Sequence, residues 1–220
     1  MSLDYRQFIK SMPLWLWYFL AAFTIIWFSV LDYRHLIPSD EGRYAEIARE
    51  MFVSGDWLTP RYNDYKYFEK PPLQAWMTAL TYTLFGIGEW QARLWSALTS
   101  YFTVFAVGFT AYKLYGKSAG ISAALILASA PLWAIAGHFN ALDAGLSSFM
   151  GLALCSLLLA QRATLTPRAQ GNWMLACWSG MALAVLSKGL IGIALPGMVL
   201  IAYSVITRDW KFWQRLHIIK

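Results

Sequence analysis

Five charged residues, spread over four separate segments of the chain, are of the types that handle phosphate groups and protons. Asp40 and Arg43 stand one helical turn apart, so a helix carries both on one side. Lys70 sits in Tyr67-Phe68-Glu69-Lys70-Pro71-Pro72, where two prolines fix the backbone. Asp143 closes His138-Phe139-Asn140-Ala141-Leu142-Asp143, and Lys188 is the centre of Ser187-Lys188-Gly189. A carboxylate can take or orient a proton, a lysine is a compact charge for phosphate, and arginine adds a two-pronged donor. Each residue also has a plainer reading. Asp40 and Asp143 suit helix starts, Lys70 could snorkel to anchor a helix, and Arg43 could be a solvated surface charge. Glu41, Glu69 and His138 are secondary candidates. His138 has no second histidine at ligand spacing and reads better as a hydrogen-bonded interfacial residue than as a metal ligand.

The elements that must position these residues are read from hydropathy. Of 220 residues, 58% are hydrophobic and only 14% charged, the profile of a polytopic membrane protein. The net charge of +6 is dispersed between apolar segments instead of forming a patch, which argues against nucleic acid. Cys155 and Cys177 fall within apolar segments and read as small buried side chains. Charge-free runs at 14–30, 94–112, 118–139, 144–161, 171–187 and 189–207 are each close to bilayer-spanning length. The first is expected to be an uncleaved anchor, since no small-residue cleavage pattern follows it.

A seventh uncharged run, 71–88, decides the topology. Without it as a span, one side of the membrane collects Arg6, Lys10, Lys113, Lys117, Arg162, Arg168, Arg208, Lys211, Arg215 and Lys220, while the short loops opposite hold only Lys188. That agrees with an excess of positive charge on the cytoplasmic side, and counting 71–88 as a span inverts it. Six spans are therefore expected, with the N-terminus cytoplasmic. Residues 31–93 form one external loop, and 71–88 an interfacial helix bounded by Pro71-Pro72 and by Gly86 and Gly88. In this topology all five charged candidates share the external face.

Within the loop, residues 39–72 hold seven of the twelve acidic residues. Ser39 is expected to cap a helix with Asp40 and Glu41 in its first turn, where the dipole favours acids. Tyr44, Ile47, Ala48, Met51 and Phe52 form an apolar stripe able to lie on the membrane or on the bundle, and Gly55 ends the helix.

The ordered set Asp40 to Glu46, Ser54 to Trp57, Tyr67 to Pro72, Gln91 to Leu94, Asn140 to Asp143 and Ser187 to Gly189 resembles the GT-C membrane glycosyltransferases related to protein O-mannosyltransferases. Within that group it is most similar to the bacterial aminoarabinose transferases that modify lipid A. The resemblance implies an all-α transmembrane bundle of GT-C type in the bacterial inner membrane, with its active face periplasmic. It implies transfer of aminoarabinose or a mannose-like hexose from a polyprenyl-phosphate donor to lipid A or protein. By the same resemblance Asp40 and Asp143 match active-site acids, Arg43 and Lys70 match contacts to the lipid phosphate, and Lys188 is a weaker candidate for the same work. Glu69 matches a position that holds a divalent metal in some members, whose other ligand is expected outside this sequence.

Members of that group are more than twice as long, so the chain is expected to be the N-terminal part of a GT-C domain, lacking further spans and a periplasmic domain. A transporter or flippase for an anionic polyprenyl-phosphate lipid is the main alternative. It would need charges or broken helices along a path through the membrane, whereas the apolar runs here are charge-free. A non-catalytic membrane scaffold is the third reading.

Overall fold

A computed structural model describes residues 13–216. Arg6, Lys10 and Lys220, which entered the charge count, lie outside them, as does the side chain of Lys211. In chain order the helices are α1 (Leu14–Ser29), α2 (Glu41–Ser54), α3 (Leu73–Phe85), α4 (Glu89–Tyr115), α5 (Lys117–Ser129), α6 (Pro131–Gly137), α7 (Leu142–Ala160), α8 (Pro167–Lys188) and α9 (Ile191–Thr207), followed by a 3-10 turn at Trp210–Leu216. The fold is all-α, and every apolar run expected as a span is helical. Helices α4 and α7 are long and apolar enough to cross a membrane, and α1 and α9 are shorter apolar helices.

The third expected span is not straight. α5 and α6 together have span length but are bent by 65° at Ala130. The cause is local: Pro131 opens α6, and a residue before proline is pushed out of the helical region, here to φ −67°, ψ 118°.

Residues 71–88 behave as expected of a non-spanning segment. Helix α3 has 13 residues, about 20 Å, too short for a bilayer core. Gly86 ends it with φ +82°, a conformation that glycine adopts without strain. α3 is nonetheless well buried on one side, because the apolar stripe of α2 packs on it: Ala45, Ile47, Ala48 and Met51 meet Ala75, Ala79 and Tyr82. The stripe thus lies on a neighbouring helix. Gly55 closes α2 with φ +72°.

One local expectation is corrected. Ser39 does not cap α2; the helix starts at Glu41, Asp40 holds the cap position without a side-chain hydrogen bond, and Glu41 itself accepts from the Ile37 N–H at 3.1 Å. A small antiparallel hairpin, β1 (Arg61–Tyr62) and β2 (Tyr65–Lys66), stands between α2 and α3. Its turn residues Asn63 and Asp64 both have positive φ, which Asn and Asp tolerate best among residues with a side chain.

α7 and α8 form the most extensive helix pair. Small residues allow the approach: a Cβ on Gly180 would meet the Ala153 Cβ and the Phe149 carbonyl oxygen, both at 3.1 Å, and one on Gly145 would meet Ser187 Oγ at 3.2 Å. This contact sets the first turn of α7 beside the last turn of α8, the two ends that carry Asp143 and Lys188.

Candidate active site

The elements between α1 and α4 are tied together by Glu41, whose side chain is fully buried. Its Oε1 accepts from Arg93 Nε at 2.8 Å and the Asn140 N–H at 3.0 Å. Its Oε2 accepts from Arg93 Nη2 at 3.1 Å, from the Ile37 N–H and from Arg34 Nη1. Burial alone would raise the carboxyl pKa, but these donors outweigh it and lower the value to about 2. Arg93 is equally well satisfied. Its Nη1 donates to the Leu31 and Arg34 carbonyls at 2.7 and 2.9 Å, and Nη2 also reaches the His35 carbonyl at 3.1 Å. With the two bonds to Glu41, all five guanidinium N–H groups have acceptors.

Asn140 extends this hub. Its Nδ2 donates to the Glu41 backbone carbonyl at 3.3 Å, and its Oδ1 accepts from Gln74 Nε2 at 2.8 Å. The loop before α7 is thereby fixed to the starts of α2 and α3. Buried ionic groups of this kind are tolerated only when every donor and acceptor is used, and then they hold one geometry.

Beside the hub lies a cleft of about 530 Å³ whose walls include Asp40, Arg43, Lys70, Asp143 and Lys188. The five charged residues singled out by type and spacing thus face one space, together with Tyr44 and an apolar wall containing Leu132 and Phe139. Four features deliver them: the start of α2, with Asp40 at its cap and Arg43 in its first turn, the prolines preceding α3 for Lys70, the first turn of α7 for Asp143, and the end of α8 for Lys188. Phe139 also links cleft to hub, since the Arg34 guanidinium sits 5.4 Å above its ring.

The charges inside the cleft are partly paired. Lys188 Nζ donates to Asp143 Oδ1, so this isolated lysine has a carboxylate partner within the chain. Lys70 Nζ lies 3.1 Å from Glu69 Oε1. Two tyrosines adjoin the cations. Burial above all, with help from neighbouring Tyr67, pushes the Tyr44 hydroxyl up to about 12, and burial likewise raises Tyr67 despite the Arg43 guanidinium next to it. Both therefore remain phenols at neutral pH and can donate hydrogen bonds. The arrangement can hold an anion between Arg43, Lys70 and the Tyr44 hydroxyl, with Asp40 in the same cleft to receive or orient a proton.

The secondary candidates fare differently. Glu41 is a structural hub, not a cleft residue. His138 is packed against the Trp27 ring at 4.5 Å, and its two ring nitrogens each lie 2.7 Å from a backbone carbonyl, those of Ala134 and Trp27. Glu69 is exposed and paired with Lys70. Among the described residues no three carboxylate, histidine or cysteine groups converge, so a metal at Glu69 would need ligands beyond these. Spacing alone missed Arg93 and Arg34. Arg93 was placed as the last residue of the external loop, whereas it lies inside α4 with its side chain 1% exposed.

The family described as dolichyl-phosphate-mannose-protein mannosyltransferase matches residues 69–219. An undecaprenyl phosphate-alpha-4-amino-4-deoxy-L-arabinose arabinosyl transferase from Edwardsiella ictaluri is 32% identical over 200 residues, covering 89% of this chain and 36% of that protein. Its counterpart from Pectobacterium carotovorum is 35% identical, covering 80% of this chain and 32% of that protein. Crystal structures of ArnT from Cupriavidus metallidurans, apo and bound to undecaprenyl phosphate, are 49% identical with TM-score 0.91, covering 93% of this chain and 38% of theirs. The chain spans about a third of the length of the relatives it matches.

Proposed function

The chain belongs to the dolichyl-phosphate-mannose-protein mannosyltransferase family, and on that premise we propose that it forms the donor-binding part of a membrane glycosyltransferase. The reaction moves a sugar, aminoarabinose or a mannose-like hexose, from a polyprenyl-phosphate donor to lipid A or protein at the periplasmic face of the bacterial inner membrane. In this reading the N-terminus is cytoplasmic. The observation that carries the proposal is the gathering of Asp40, Arg43, Lys70, Asp143 and Lys188 around one cleft. Resemblance to relatives named for an undecaprenyl phosphate sugar, and to a structure bound to undecaprenyl phosphate, supports the donor class.

In the proposed step the acceptor oxygen forms a bond to the anomeric carbon as the bond from that carbon to the phosphate oxygen breaks. The electron pair leaves with the polyprenyl phosphate. Arg43 and Lys70, helped by the Tyr44 hydroxyl, stabilise the charge that grows on the leaving oxygen. For a hydroxyl acceptor, Asp40 takes the proton. A phosphate acceptor needs no deprotonation, and Asp40 then orients the reacting groups. Asp143, held by Lys188, lines the same cleft as the second acid.

The test uses membranes from cells lacking their own transferase and expressing this protein. A photoreactive polyprenyl phosphate should label the wild-type chain, with Lys70→Ala and Arg43→Ala each reducing labelling about tenfold or more. Sugar transfer by the full-length protein should fall about a hundredfold in Asp40→Asn. Undiminished labelling and transfer in all three variants would defeat the assignment.

A further inference from the structure

Two buried amides join parts of the cleft that sugar transfer must hold in register. Gln74 stands in the first turn of α3, four residues after Lys70, and Asn140 stands three residues before Asp143. Their side chains are 3% and 0% exposed, and Gln74 Nε2 donates to Asn140 Oδ1 at 2.8 Å. The direction of this bond is set from the other side. Asn140 turns its Nδ2 to the Glu41 carbonyl at 3.3 Å, which leaves its oxygen facing Gln74. With both side chains shut off from solvent, breaking the bond leaves a buried polar group unpaired.

The cations and the second acid are located by different means. Arg43 belongs to α2 and Lys70 to the segment leading into α3, and these two helices are held by Ala45, Ile47, Ala48 and Met51 packed with Ala75, Ala79 and Tyr82. The spacing of the two cations therefore follows from apolar packing. Asp143 belongs to α7, which meets α3 where Leu73 packs with Leu146 and Phe149. Such contacts resist separation but carry no direction, so they tolerate sliding. Direction comes from Asn140, bonded to Gln74 on one side and to Glu41, the neighbour of Asp40, on the other.

We infer that Gln74 and Asn140 are positioning residues for sugar transfer, their amide bond setting Asp143 in register with the phosphate-binding pair Arg43 and Lys70. The inference rests on the transferase reading given above. The experiment is steady-state kinetics of the full-length protein in lipid A vesicles, with undecaprenyl phosphate carrying aminoarabinose or, in a parallel arm, mannose as donor. Gln74→Met keeps the side chain's length and removes its donor. It should lower kcat about tenfold or more, since a misplacement of about 1 Å can cost a hundredfold. The donor KM and labelling by a photoreactive polyprenyl phosphate should stay within about twofold of wild type, because the cations keep their spacing. Asn140→Leu should also lower kcat, and Gln74→Met should add nothing to it, the shared bond being already gone. Unchanged kcat in Gln74→Met, a parallel loss of labelling, or additive losses in the double variant would each overturn the inference while wild-type transfer stands. Absence of wild-type transfer from either donor would defeat the transferase reading itself, and the inference with it. Should Asn140→Leu fail to fold, Gln74→Met decides alone by its split between kcat and KM.

Discussion

Arg93 grips Glu41 with two parallel bonds, Nε to Oε1 at 2.8 Å and Nη2 to Oε2 at 3.1 Å, with both side chains excluded from solvent. The pair joins the first residue of α2 to the first turns of α4, and the polar cleft opens next to it.

Removing one partner of such a pair leaves a buried charge without compensation. Glu41→Gln should cost about 3–5 kcal/mol, read as a fall in the thermal midpoint of the detergent-solubilised protein. Arg93→Lys should also be destabilising, because an ammonium cannot reach the five acceptors that the planar guanidinium serves.

The same carboxylate predicts an acid-sensitive fold. Its pKa is lowered from 4.5 to about 2 in the folded protein, so its contribution is complete above the unfolded value and is lost as pH falls towards 2. Thermal midpoints measured from pH 6 down to pH 3 should decline in wild type. The share of that decline due to Glu41 should be missing in Glu41→Gln.

The Asp143 and Lys188 pair should behave in the opposite manner. Its side chains are 63% and 31% exposed, and a pair so open to solvent contributes less than about 1 kcal/mol. Lys188→Ala should hardly move the thermal midpoint. Sugar transfer by the full-length protein should nonetheless fall by about tenfold or more, since an aimed charge in the cleft is lost.

Gly180→Val probes how the cleft is held from behind. The new side chain has no room against Ala153 and Phe149, and overpacking of this kind costs about 1–3 kcal/mol. The two helices must part, moving Lys188 away from Asp143. Crosslinking of cysteines placed at positions 143 and 188 should slow in this variant relative to the same pair in the wild-type background.

Much of this was legible in the chain because hydropathy and punctuation are local. Apolar runs marked the helices, Pro71-Pro72, Gly55 and Gly86 marked their ends, and isolated charges at those ends marked the cleft. Arg93 escaped because its role depends on Glu41, fifty-two residues away, and no periodicity carries that distance. A usable signal was present: an arginine opening an apolar run needs a buried acid, and the preceding loop is rich in acids. The hairpin was missed for another reason. Tyr62-Asn63-Asp64-Tyr65 is a turn pair flanked by aromatics, but two-residue strands leave too little alternation to notice. The 65° bend was hidden because hydropathy does not register direction, although Pro131 was in plain view.

The hub at Glu41 also fixes an order of assembly. Its partners Arg34 and Ile37 precede it in the chain, but Arg93 follows by 52 residues and Asn140 by 99. A chain emerging from the ribosome therefore carries Glu41 with only nearby donors until α4 begins, and the last donor arrives with the loop before α7. Helix α2 settles only after three further apolar segments have been made, so a nascent chain arrested before Asn140 would present α2 loosely held and open to proteases. Completion of the first half of the bundle is thus recorded at a single carboxylate.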